Sequence, residues 1–191
     1  MTLLIAGLLL FLGVHSTAII APEWRTAQVA RRGAAAWKGV YALLSIVGLA
    51  LLIYGYGVAR QSPVVLYTPP TFTRHLALLL MVPVFPLLLA AYLPGRIKTA
   101  AKHSMLLAVK LWALAHLLAN GGLHDVVLFG AFLAWAVADR ISMKRRTVAR
   151  AVPTAPARPM NDAIALGAGL VVYAVFVLWA HLKLIGVSPL G

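Results

Sequence analysis

From Thr2 to Ala21 the chain carries no charged side chain, and further apolar stretches of similar length come after it. Such a run has few fates. About twenty apolar residues in a helix match the ~30 Å hydrocarbon core of a bilayer, whereas soluble domains interrupt such runs with charge. The chain's mean hydropathy of +0.92, with four acids against 17 Lys and Arg, fits no soluble surface. The fold class expected is all-α, a polytopic transmembrane helix bundle of about six spans forming a single domain over residues 1–191. Arg25, Arg31 and Arg32 follow the first run instead of preceding it, so a retained helix is expected there in place of a secretory signal peptide.

The remaining spans are expected at Gly39–Gly57, His75–Leu93, Lys102–Gly121, Leu123–Ile141 and Asn161–Leu184. A basic loop with an interfacial helical piece around Trp24–Arg32 joins the first two. Arg60–Thr73 holds Pro63, Pro69 and Pro70, and its YTPP string predicts an extended or turning surface segment. Pro83 and Pro86 fall inside the third span, where they predict a kink and freed carbonyls in need of partners. His124-Asp125 and Asp139-Arg140 bracket the fifth span and are expected to be structural; His181, near the end of the sixth, is expected at the interface. The Pro-rich Lys144–Pro159 connection predicts a flexible loop. Asn161-Asp162 predicts a helix start whose first-turn acid complements the helix dipole.

The fourth span, KHSMLLAVKLWALAHLLANG, carries His103, Lys110, His116 and Asn120. Polar groups at membrane depth cost several kcal/mol unless paired, solvated or bound to something. On one continuous helix His103 and Lys110 share a stripe, and Trp112, His116 and Asn120 share another. His15 is the strongest polar feature of the first span, with Gly7 and Phe11 on its face. A histidine so placed either bonds a neighbouring helix or ligates a metal, and the residues alone leave both open. With no Cys in the chain, a disulfide framework, a thiolate metal site and a C-x-x-C-H haem attachment are excluded.

Charge orients the bundle. With six spans, the first, third and fifth loops share a side and hold every Lys and Arg except Arg60, Arg74, Lys110 and Lys183. The positive-inside rule makes that side cytoplasmic and puts both termini outside, in the periplasm of a bacterium. The same distribution argues against nucleic acid as a partner, because the basic residues belong to short loops and no soluble basic domain exists to bind it. The lipid bilayer is the partner that composition implies.

Several strings carry a family resemblance: FLGVHS at Phe11–Ser16, APEWR at Ala21–Arg25, VVLYTPP at Val64–Pro70, AYLPGRIK at Ala91–Lys98, KLWALAHLLANG at Lys110–Gly121 and FLAWAVADRIS at Phe132–Ser142. Together they resemble the NnrU family of bacterial membrane proteins across nearly the whole chain. The resemblance implies a location in the bacterial inner membrane. It also implies an association with denitrification, in nitrite and nitric oxide reduction, with components of those reductases as partners. The family is related to zeta-carotene isomerase, a membrane enzyme that binds haem b through histidine, and more distantly to membrane methyltransferases.

Residue by residue, His15-Ser16 is similar to the H-S pair of the isomerase, and Ala113–His116 to its C-L-A-H string. The resemblance therefore implies haem b as cofactor, with His15 and His116 as metal ligands. Ala113 stands where the isomerase has cysteine, which removes support for ligand switching and carotene isomerisation. Ser104 stands where methyltransferases have the proline of R-H-P, and no glutamate comes after it, so methyl transfer ranks below haem binding. A non-catalytic assembly factor for a reductase and a small-solute transporter using Lys110 are the other classes. Counting pulls against the implied pair. His15 lies in the cytoplasmic half of its span, whereas His116, 13 residues beyond His103, is on the order of 20 Å further from that surface. His103 is accordingly the reserve ligand, and Lys110 is placed to meet a haem propionate.

Overall fold

The computed structural model describes residues 1–145 and 154–191. In chain order the elements are α1 (Thr2–Ile20), α2 (Pro22–Arg32), α3 (Ala34–Ala59), α4 (Thr71–Met81), α5 (Val84–Ala90), α6 (Arg96–Ala101), α7 (Ser104–Ala119), α8 (Leu123–Arg145) and α9 (Asn161–Val175). A π-helical turn (Phe176–Ala180) and α10 (His181–Ile185) complete them. The fold is all-α. Among the described residues five helical segments are long and apolar enough to cross a membrane: α1, α3, Thr71–Ala90, α8 and Asn161–Ile185. The chain is a multi-pass membrane protein. The fourth expected span is the exception, because α7 has 16 residues and rises only about 24 Å. Its expected first residues, Lys102 and His103, lie outside the helix, so no continuous helix holds His103 and Lys110 on one stripe.

The described residues fall into two compact units. The first comprises Met1–Thr68 and Gly121–Lys144, the second Pro69–Asn120 and Arg145–Gly191. In unit one α1 packs along α3 through glycine. A Cβ on Gly7 would lie 2.5 Å from the Leu52 nitrogen, one on Gly48 2.8 Å from that of Phe11, and one on Gly55 would collide with the backbone of Leu4. Small residues at such crossings let two backbones approach closely, which is how helices gain contact in lipid. Outward-facing Leu9, Leu43, Ile46 and Ile53 stay exposed, as lipid-facing side chains do. Between α1 and α3 the interfacial piece expected from sequence is α2. Its Trp24 meets Trp37 edge-on at 5.7 Å, and the Arg25 guanidinium lies 5.9 Å from the same ring. Gly33, at φ +83°, joins α2 to α3 in a backbone region that favours glycine.

The YTPP segment is extended, and it has a partner. Leu66 and Tyr67 both donate to the Gly121 carbonyl (2.8 and 3.2 Å), and the Leu123 N–H donates to the Val64 carbonyl at 2.8 Å. A side chain on Gly121 would collide with the Tyr67 carbonyl, so a glycine at this position is what admits the strap.

In unit two the proline kink falls where the sequence predicts it, between α4 and α5. Val82 turns its N–H to Leu79 at 3.3 Å, and the Leu78 carbonyl accepts the Tyr173 hydroxyl from α9 at 2.9 Å. Val84 and Leu87 of α5 form a core with Ala108 of α7, with Leu111 and Trp112 against it. Gly169 lets α9 close onto α5, where a Cβ would come 2.5 Å from the Pro86 nitrogen. The basic loop after Pro94 is helical, as α6, and Lys98 donates from its Nζ to the Ala91 carbonyl at the end of α5 (2.8 Å). Asp162 serves that helix as well as its own, accepting the N–H groups of Arg96 and Ile97 at 2.7 and 2.9 Å. Asn161 donates to the carbonyls of Pro94 and Pro156. Most of the loop expected at Lys144–Pro159, including Arg146 and Arg150, lies outside the described residues.

Candidate functional site

His15 stands on the inner stretch of α1 in unit one, partly buried among aromatic rings. Phe11 lies at 4.2 Å, Tyr41 of α3 at 5.2 Å and Trp135 of α8 at 6.1 Å, edge-on. Its Nδ1 is 2.7 Å from the Phe11 carbonyl. A carbonyl can only accept, so Nδ1 carries the proton, and in the neutral ring the lone pair belongs to Nε2. Among the described residues the Trp135 Nε1–H is buried without a hydrogen-bond partner.

His116 belongs to unit two and obeys the same rule. Its Nδ1 lies 2.8 Å from the Trp112 carbonyl one turn back, which again assigns the lone pair of the neutral ring to Nε2. The ring that comes to it within the unit is His181, which the sequence marks only as an interfacial residue. The two imidazoles are 6.5 Å apart between centroids with planes 23° from parallel, and His181 Nδ1 is itself tied to the Val187 carbonyl at 2.7 Å. Trp112 (5.3 Å from His116) and Phe176 (5.8 Å from His181) flank the pair. The π-helical turn immediately before His181 adds a residue to the helical turn and re-aims the side chains beyond it, and such turns are frequent at functional sites.

His103 closes a tight turn, its N–H 2.6 Å from the Ala101 carbonyl around Lys102 at φ +57°, and its own carbonyl opens α7 by accepting from Leu107. Lys110 is partly buried in the middle of α7. A further polar cluster in unit one had no sequence signal beyond His124-Asp125. Both residues are buried, at 7% and 6% exposure, so they are internal to the fold. The Asp125 carboxylate accepts the Tyr56 hydroxyl at 2.6 Å and the Gly122 N–H at 3.1 Å, with His124 Nε2 3.4 Å away. Outside the helices, burial and then the Asp125 carboxylate push the Tyr67 phenol up.

An open groove of about 940 Å³ in unit two is lined by the Pro94–Gly95 turn, Arg96, Arg158 and Asp162. Its lining contains no histidine. Among the described residues no group of three or more His, Asp or Glu side chains could hold a bare metal ion. Pairs of imidazoles suit an ion that brings equatorial ligands of its own. In comparisons with known proteins, a family model described as NnrU protein matches residues 3–189. No curated protein and no solved structure matches.

Proposed function

The chain belongs to the NnrU family, and from that premise we propose that it binds haem b through histidine in the bacterial inner membrane and serves nitrite and nitric oxide reduction as a redox, sensing or accessory factor. The observation that carries this reading is the fixed tautomer of His15 and His116. In each, Nδ1–H donates to a carbonyl four residues back, so that Nε2 is the nitrogen that would meet iron if the group were bound. Metal-bound histidines usually make such a second bond, which orients the ring and raises its basicity. The buried Trp135 N–H, which has no partner among the described residues, is a donor suited to an acceptor on a bound group.

The protein's own part is to hold and to shelter. Phe11, Tyr41 and Trp135 lie against His15, Trp112 against His116 and Phe176 against His181, so each partly buried imidazole has aromatic neighbours. His103 remains the reserve ligand, and Lys110 a cation within α7 for a propionate. A bound haem would supply an iron centre for electron transfer or for binding a diatomic gas. Haem uptake is measured on the detergent-purified protein by its optical spectrum. A Soret band at about one haem per chain is the expected result. Its absence after haemin addition would leave the assembly-factor reading, with the histidines serving only to bond helices.

A further inference from the structure

We propose that α2 and the first turn of α3 form a binding site for an anionic phospholipid, a site that owes nothing to the haem reading. Position comes first. α1 and α3 are both long and apolar enough to cross a bilayer, so the Pro22–Arg32 helix joining them has to lie at a membrane surface. It is too polar to enter the hydrocarbon. Its eleven residues include three arginines, and Lys38 follows about one turn into α3.

Charge comes next. Arg25, Arg31, Arg32 and Lys38 are matched by a single carboxylate in this stretch, that of Glu23. Glu23 lies in the first turn of α2, at the opposite end from Arg31 and Arg32, where the helix dipole favours an acid. Among the described residues none of the four cations is ion-paired, and Arg31, Arg32 and Lys38 are exposed. Their charge is left for a partner outside the chain.

The aromatic rings say which partner. Trp24, 53% exposed, meets Trp37 edge-on at 5.7 Å, and the Arg25 guanidinium lies 5.9 Å from the same Trp37 ring. Trp24 and Arg31 are seven residues apart, two turns along one flank of the helix. Indole and guanidinium groups thus share one patch at the end of two spans. Indole rings settle where headgroups meet acyl chains, and a guanidinium grips a phosphate through two parallel hydrogen bonds. A phospholipid presents both chemistries at adjacent depths. Free phosphate offers the indoles nothing, and a zwitterionic headgroup brings an ammonium or choline that offsets the attraction of its phosphate.

The test is native mass spectrometry of the full-length protein in detergent, titrated with phosphatidylglycerol or with phosphatidylcholine of the same acyl chains. Wild type is expected to bind its first phosphatidylglycerol at least about tenfold more tightly than phosphatidylcholine. Arg31→Gln/Arg32→Gln is expected to lose most of that preference, because each interfacial cation contributes severalfold. Lys183→Gln, in unit two, is expected to match wild type. Equal affinity of wild type for the two lipids overturns the proposal, as does a preference that survives in the double variant. An equal loss in Lys183→Gln also overturns it, since binding would then follow net charge and not this patch. Competition by millimolar inorganic phosphate would assign the patch to a free anion and overturn the lipid assignment. If the double variant does not fold, Arg31→Gln alone is expected to weaken phosphatidylglycerol severalfold, and unchanged binding overturns the proposal.

Discussion

Asp125 accepts hydrogen bonds from a phenol and a backbone N–H, and an imidazole lies beside it, with Asp125 and His124 themselves buried. Hydrogen bonds to a carboxylate contribute more than neutral ones, and a buried acceptor stripped of a partner carries its full desolvation cost. Tyr56→Phe is therefore expected to lower the unfolding free energy by about 1.5–3 kcal/mol, with Asp125→Ala costing more, because it strands both the Tyr56 hydroxyl and the Gly122 N–H. Thermal unfolding in detergent measures it, and a midpoint unmoved by Tyr56→Phe would show that the bond contributes nothing net. None of this is legible locally, since Tyr56 and Asp125 are 69 residues apart and each alone looks like an interface residue. His181 escapes a sequence reading for the same reason. Its partner is on another helix, and the π-turn that aims it has no sequence signature. His15 and His116 are legible because an isolated histidine in an apolar run has to be accounted for wherever it points.

Helix positions are where the sequence is most informative. Uncharged runs and Gly-Pro punctuation place α1, α3, α8 and the final span within a few residues, and Pro83 marks the break between α4 and α5 together with the need for a donor that Tyr173 meets. Which glycines face a neighbouring helix is not visible in that pattern. Gly7 and Gly13 both lie on α1, yet a Cβ at Gly7 would strike the backbone of α3, whereas one at Gly13 has nothing within 4 Å. Gly7→Leu is expected to destabilise unit one by at least about 1–3 kcal/mol through overpacking against unyielding backbone. Gly13→Leu, in the same helix and equally apolar, is expected to be tolerated. Folded yield by size-exclusion chromatography compares them, and equal yields would mean that the α1–α3 crossing does not depend on this close approach.

At the scale of the molecule, the side on which the chain ends depends on α7. Six crossings return the C-terminus to the side of the N-terminus, and five do not. The concentration of Lys and Arg in alternate loops argues for six, and reporter fusions decide it: cytoplasmic signal is expected after Lys98, and periplasmic signal at Gln61 and after Gly191. A cytoplasmic reporter after Gly191 would mean that α7 does not cross.

A crossing made by α7 is a short one. Its 16 residues reach about 24 Å, roughly 6 Å less than the hydrocarbon they must traverse, and α1, α3 and α8 are all longer. Lipid beside such a segment has to compress, at a modest cost for each ångström of mismatch. If α7 crosses, the expected consequence is a thinner bilayer beside it. Thinned in that way, the bilayer would bring headgroups and their water closer to Lys110 and His116 of α7 than an undeformed one would.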